Sequence, residues 1–493
     1  MSAVPADSIA GDVRRGLVWS TVNNMVLRIG SLALGIVLAR LLVPEDFGVF
    51  AIALSIQTVL LTLADPGMSV DLVRAHDPAR RAPTIATLSL ASGVFLALAM
   101  TLTAGPVAEL MGEPDAAGVI MVLSAALVVC GAGVVPYAQL QRNFEQRKLF
   151  ACAGADFVVG TGVTVGLVLL GVGPMALAIG RLMAQVVAMC LMFRLAGLRP
   201  RFGFDREIAR SALAFGLPLA GANMLSWALI NVDNVAIAKV AGAASLGLYV
   251  LAFNISSWPM SVIGQVVRSV SLAGFSHTSR QQRDGDLAPA LSLTWAVAVP
   301  IGVLLAALAH PLVVLLYGQR WSASATVLAA LGLFGALRVV LDLAATYLMA
   351  RGAARPVLYV QVLWFVTLIP AVVLATHWKG IAGAGWAHVA VSVAVTVPAY
   401  AVALSRVGTG PRSLLAAMWL PAVAALPTWW VAHTAANQVE QPLLALLLGG
   451  VLGSLTYIAI SYRWVRQLLP DRKPAAQVPA ARRVDEPQLG GVT

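Results

Sequence analysis

Four polar stripes interrupt a chain that is otherwise strongly apolar. Ser20, Asn24, Arg28 and Ser31 recur at i, i+4, i+8 and i+11, so on a helix they share one face. Ser55, Thr58, Thr62 and Asp65 form a second stripe, and Asn223, Trp227, Asn231 and Asn234 a third. The longest runs through Asn254, Trp258, Ser261, Gln265 and Arg268. Within a membrane such residues either line a polar cavity or tie neighbouring helices together. Arg28 poses the sharpest question, because a charge at mid-membrane costs about 3 kcal/mol even on insertion scales. Its own helix offers no acid nearby. It therefore needs a wet cavity, an anionic ligand, or a carboxylate from another helix such as Asp156 or Asp233. A guanidinium suits phosphate, because its fork of donors is planar and always charged. The residues expected to meet a substrate are Arg28, Asn24, Ser20, Asn223, Asn231, Asn254, Gln265, Trp227 and Trp258.

A second set could carry an ion. Asp65, Asp156, Asp233 and Asp342 lie in or at the ends of apolar runs, and a transporter coupled to H+ or Na+ needs such a carboxylate. The bland alternative is a structural pair, and Arg338 with Asp342 one turn away reads as one. Arg181 reads as snorkelling outward or pairing with Gln185, and His310 and His388 as satisfied polar groups. No covalent chemistry is in view. The chain has no G-x-S-x-G, Walker or HExxH sequence, so no catalytic role and no cofactor are expected. Cys130, Cys152 and Cys190 fall inside apolar runs, without disulfide or metal spacing.

The elements that must position these residues are membrane helices. Of 493 residues, 59% are hydrophobic and 11% charged, whereas a soluble domain is about 25% charged. Apolar runs long enough to span a bilayer recur along the chain, and in hydrocarbon they must be helical. Fourteen are expected, near 17–39, 47–65, 84–106, 117–138, 149–170, 174–195, 211–237, 246–267, 288–316, 324–349, 356–376, 380–405, 413–433 and 442–462. With the N-terminus in the cytoplasm, 26 of the 33 Lys and Arg face that side. Arg40, Lys239, Arg320 and Lys379 face the other, and Arg28, Arg181 and Arg338 lie within spans. This is a strong positive-inside bias, and it assigns the net charge of +11 to anionic lipid rather than nucleic acid. Both termini are then cytoplasmic.

The chain also repeats itself. "ARLLVPEDFGVFAIA" at Ala39 returns as "AKVAGAASLGLYVLA" at Ala238, an offset of 199. Three more echoes follow in order at offsets up to 209: "GLVWSTVNNM" and "GLPLAGANM", "LMGEPDAAGVIMVL" and "LYGQRWSASATVL", and "GVGPMALA" and "GIAGAGWA". Six helices written twice give two halves of like orientation with a site between them, an architecture of transporters that rock. The organisation expected is a cytoplasmic N-terminus (1–15), a first lobe (16–197), a linker (198–210), a second lobe (211–405), two further helices (406–465) and a disordered tail (466–493).

"RLLVPEDFGVF", "DPG" at Asp65, "LQR" at Leu140, "VDN" at Val232, "LGLY" at Leu246 and "YGQRW" at Tyr317 resemble the Wzx-type polysaccharide flippases. These form the polysaccharide-transport branch of the multidrug/oligosaccharidyl-lipid/polysaccharide exporter superfamily. The resemblance covers roughly residues 15–410. It implies a MATE-like fold of two six-helix parallel repeats plus two C-terminal helices, in a bacterial cytoplasmic (inner) membrane. It implies transfer of an undecaprenyl-diphosphate-linked oligosaccharide between leaflets, with Arg28 on the diphosphate or an anionic sugar and the last two helices near the lipid tail. Membrane lipids and polymerase or glycosyltransferase machinery are the implied partners. A drug or cation antiporter and a lipid II flippase share the fold. The first would want an acidic cavity and the second a dense set of cavity arginines. A membrane polymerase or ligase would want a large external loop, and the external loops here are short. The opening motif itself reads as a structural hairpin in which Pro44 and Gly48 make the turn and Arg40 anchors at the interface.

Overall fold

The computed structural model describes residues 29–277 and 287–468. In chain order its helices are α1 (Ile29–Leu41), α2 (Pro44–Ala64), α3 (Met68–Arg74), α4 (Pro78–Leu102), α5 (Ala104–Leu110), α6 (Ala116–Arg142), α7 (Gln146–Leu169) and α8 (Pro174–Ala196). There follow α9 (Arg206–His277), α10 (Leu287–Ala307), α11 (Ala309–Tyr317), α12 (Ser324–Ala350), α13 (Ala354–Val391), α14 (Val397–Ser405), α15 (Pro411–Ala436) and α16 (Pro442–Leu468). A 3-10 turn at Gln319–Trp321 precedes α12, and a π-helical turn at Ser392–Thr396 joins α13 to α14.

Eleven of the described helices are long and apolar enough to cross a membrane, against the fourteen spans expected. The difference has three sources. The first span is represented only by Ile29–Leu41, since the residues before it are not described. In two places the expected pair of spans (211–237 with 246–267, and 356–376 with 380–405) is two helices meeting at a kink with almost no loop between them. α9 runs through 72 residues with a break at Gly242, whose φ of 82° needs a residue without Cβ. α13 is broken only at Lys379 and Gly380. The tail beyond residue 468, expected to be disordered, lies outside the described residues.

Helix pairs repeat across the two halves. α4 crosses α6 where a Cβ on Gly93 would lie 2.5 Å from the Leu127 carbonyl and one on Gly131 2.3 Å from that of Ser89. α10 crosses α12 in the same manner at Gly302, 2.7 Å from the Gly332 carbonyl. Small residues at these points let backbones touch, which is how helices associate where lipid gives no hydrophobic drive. α2 packs along α9, α7 on α8, and α15 on α16. One apolar core, including Val49, Leu127, Leu246, Tyr249 and Leu328, runs through both halves.

Candidate functional site

Each half buries one polar cluster. In the first, the Arg181 guanidinium on α8 donates to Gln57 Oε1 on α2 at 3.2 Å. Gln57 is fully buried, and its amide donates onward to the Leu123 carbonyl of α6 at 3.1 Å. The amide therefore cannot turn away from the cation without losing a bond of its own. Asp156 on α7 is the acid that interacts with Arg181 electrostatically. Two buried oxygens beside this region, Thr161 Oγ1 on α7 and Gln185 Oε1 on α8, have no hydrogen-bond partner among the described residues. Arg181 thus turns to Gln57 on another helix, and the expected Gln185 pairing is not the contact made.

In the second half the cluster is acid-centred. Asp233 and Tyr249 come from the two arms of α9 and His388 from α13, with relative exposures of 6%, 0% and 3%. The Tyr249 hydroxyl donates to Asp233 Oδ2 at 2.7 Å and lies 3.0 Å from His388 Nε2. A phenol has one proton. Given to Asp233, it leaves the Tyr249 oxygen to accept from His388 Nε2–H. That tautomer puts a lone pair on Nδ1, and Nδ1 has no hydrogen-bond partner among the described residues. Ser392 Oγ, one turn along at the start of the π-helical turn, has none either. His388 Nε2 is 3.7 Å from Asp233 Oδ2, so an imidazolium formed here would have its counter-ion in place. Arg338 on α12 acts on the same histidine electrostatically. The expectation of a satisfied His388 is corrected: one ring nitrogen is engaged and the other is open.

The halves meet at both ends. At the end holding Arg40, contacts are reciprocal. A Cβ on Gly48 would lie 1.8 Å from the Ala243 carbonyl, and one on Gly247 2.1 Å from that of Pro44. Residues 44 and 48 correspond to 243 and 247 by the offset of 199, so a pseudo-two-fold axis passes between them. Alongside, Arg40 donates to the Leu315 and Leu316 carbonyls in the last turn of α11 at 2.5 and 3.1 Å. Trp321 donates to the Ala39 carbonyl in the last turn of α1 at 2.7 Å, and its ring meets Phe47 edge-on. Each half thereby satisfies carbonyls that the other half's helix end leaves open. Arg40, read as an anchor at the outer interface, is also a clamp across the halves. At the opposite end, Arg81 holds Asp71 at 2.7 Å and reaches Ser211 of α9 at 3.4 Å. A cavity of about 630 Å³ lies there, lined by Asp71, Arg74, His76, Arg80, Arg81 and Glu207 among others.

Residues 37–326 match a family model described as "Polysaccharide biosynthesis protein", and that range is more than half of the chain. The chain belongs to this family. Among its relatives, the succinoglycan biosynthesis transport protein ExoT of Rhizobium meliloti (strain 1021) is 26% identical over 483 residues, covering 93% of this chain and 94% of that one. The lipopolysaccharide biosynthesis protein WzxC of Escherichia coli (strain K12) is 25% identical over 427 residues, 85% of this chain and 86% of its own. Two solved structures share the fold. Lipid II flippase MurJ in an inward closed conformation aligns with a TM-score of 0.74 at 15% identity, over 92% of this chain and 99% of that one. An inward-facing multidrug resistance MATE family transporter of the MOP superfamily gives 0.61 at 18%, over 80% and 98%. The MATE-like fold is thereby established, and with it a multi-pass membrane protein.

In this polysaccharide biosynthesis protein the expected site residues fall unevenly. Ser20, Asn24 and Arg28, and the side chains of Trp227 and Gln265, lie outside the described residues. Asn223 and Asn254 are exposed, and Asn231 and Trp258 are half-buried. Asn234 Nδ2 reaches Asn231 Oδ1 at 3.5 Å, and Ser261 donates to the Trp258 carbonyl. Ser55, Thr58 and Thr62 each donate to a carbonyl of their own helix, so that stripe is self-satisfied. Asp65 ends α2 and accepts from Ser69 N–H in the turn into α3. Arg338 is exposed and Asp342 half-buried. Only Asp156 and Asp233 of the expected acids enter the two buried clusters. The sequence reading missed Gln57 and Tyr249 as site residues and set His388 aside as a satisfied polar group. Gln57 was findable as a primary amide inside an apolar span; Tyr249 and His388 gave no periodic signal.

Proposed function

We propose that this protein carries an undecaprenyl-diphosphate-linked oligosaccharide across the bacterial inner membrane by alternating access, making and breaking no covalent bond. Family membership carries the reading: a relative named for polysaccharide transport aligns along nearly the whole chain. The excess of Lys and Arg in alternate loops supports cytoplasmic termini. The loops assigned to one side by that count come together: Arg40, Ala243 and Trp321 at one end, Asp71, Arg81 and Ser211 at the other. Arg181 is a fixed cation among the spans and the sequence puts Arg28 within the first one; guanidinium groups suit a diphosphate while the lipid tail stays in the bilayer.

The second-half cluster supports coupling to protons. His388 Nδ1 is a buried, open base beside a carboxylate, and protonating it changes the charge of a contact that joins α9 to α13. A π-helical turn directly follows, a deformation that often marks functional positions. Polymerase and glycosyltransferase machinery would act before and after transfer.

The test is loss of surface polysaccharide, with accumulation of the lipid-linked oligosaccharide, on disrupting the gene in its host. Restoration by the wild-type chain and failure by Arg28→Ala at equal abundance is the expected result. Undiminished surface polysaccharide in the disrupted strain would sink the proposal.

A further inference from the structure

The linker between the halves is an arch with both feet fixed. At one foot Gly197, with φ 65°, ends α8, and Leu198 N–H closes onto the Phe193 carbonyl at 3.2 Å. At the other, Gly203 N–H bonds Thr87 Oγ1 at 3.1 Å while its carbonyl accepts from the same hydroxyl at 2.8 Å. Asp205 N–H bonds Thr84 Oγ1 at 3.1 Å. Between the feet run Leu198, Arg199, Pro200, Arg201 and Phe202. Pro200 fixes its own φ and holds Arg199 extended. The two arginines are exposed, and neither makes an ion pair or hydrogen bond among the described residues. The nearest acid on the linker, Asp205, is engaged elsewhere. It accepts from Ile208 and Glu207 N–H and pairs with Arg80, and those bonds, the one from Ile208 foremost, hold its carboxyl below the usual carboxylate range.

Beneath the arch lies a groove of about 1060 Å³. Its walls come from α4, α6 and α8, with Ala82, Ala86, Ala132, Val135, Met189 and Phe193 among them. No Asp or Glu lines it. Its third cation, Arg142, is already spent on the Val73 and Ala75 carbonyls. Phe202 and Phe204 stand out at 60% and 69% exposure, the position of interfacial aromatics.

We infer that this groove binds an anionic glycerophospholipid of the cation-rich leaflet, its acyl chain along the alanine-lined wall and its phosphate under Arg199 and Arg201. The charge pattern selects the lipid: two unpaired cations meet the phosphate, and no carboxylate awaits a choline or ethanolamine. The arch is the covalent link between the halves, so the bound lipid braces the joint about which they would move. The inference needs only a membrane-embedded chain and is independent of the cargo.

The test is native mass spectrometry of the full-length protein, released from micelles holding equal phosphatidylglycerol and phosphatidylcholine of matched chains. The wild type should retain phosphatidylglycerol preferentially. Arg199→Gln with Arg201→Gln should cut that preference roughly 25-fold, at about 1 kcal/mol per arginine near a lipid phosphate. Arg199→Lys with Arg201→Lys should keep most of it, and Ala86→Phe should lower retention by filling the wall. Inorganic phosphate at millimolar concentration should not displace the lipid. Equal retention of both lipids by the wild type, or an unchanged preference in the glutamine variant with an unchanged melting temperature, overturns the inference. Displacement by phosphate overturns the lipid and leaves a free-anion site.

Discussion

The two buried clusters differ in the chemistry of their central groups. In the first half the central group is an arginine, whose charge does not change at any accessible pH. Gln57 holds it, and Gln57 is itself held by a backbone carbonyl. In the second half the central groups are a carboxylate, a phenol and an imidazole with an open nitrogen. A fixed charge can hold an anion but cannot report a proton gradient. An imidazole with an open nitrogen can take up a proton but makes a poor permanent anchor. On the proposed function, holding falls to the first half and coupling to the second.

The largest expected effect comes from removing the carboxylate of the second cluster. Asp233→Asn keeps an acceptor for Tyr249 yet deprives an imidazolium at His388 of its counter-ion. Export should fall at least tenfold, about 1.4 kcal/mol in the cycle, and what remains should lose its dependence on external pH. A normal pH profile in that variant would break the division of labour. Arg181→Ala should come next, with transport reduced about fivefold at every pH and the shape of the pH profile unchanged, whereas Arg181→Lys should recover part of it. If Arg181→Ala instead shifts the pH profile, both clusters titrate as one and the contrast fails. Gln57→Leu removes the holder while leaving the cation. Stability should drop by about 1–3 kcal/mol, read as a lower melting temperature, because Arg181 and the Leu123 carbonyl both lose a buried partner. The smallest effect belongs to Arg40→Ala. Its clamp is exposed and bonds only carbonyls, so about 1 kcal/mol is at stake. A cysteine at Phe47 should then label up to about fivefold faster from the outside, with little change in export.

Much of this was legible in the sequence, and the reasons it stopped are physical. Hydropathy and the 199-residue echo gave the helices and the duplication, because a bilayer leaves few alternatives. The separations near Gly242 and Lys379–Gly380 were expected, but their abruptness was not, because one glycine redirects a helix without any polar segment to announce it. The acids of both clusters were visible as charges in apolar runs. Their partners were not, since Tyr249 reads as core and His388 stands 139 residues beyond it. Gln57 lies off the Ser55–Thr58–Thr62 stripe, so periodicity pointed to hydroxyls that merely satisfy their own helix.

The paired glycines at the pseudo-two-fold axis carry a consequence for how this sequence can drift. Gly48 rests against residue 243 and Gly247 against residue 44, so one seam holds both contacts. A methyl group at either position pushes the halves apart and opens the gap at the other. The second replacement therefore meets a space the first has already made, and the double variant should be little worse than the worse single one. Strict selection at either site lasts only while its twin is intact.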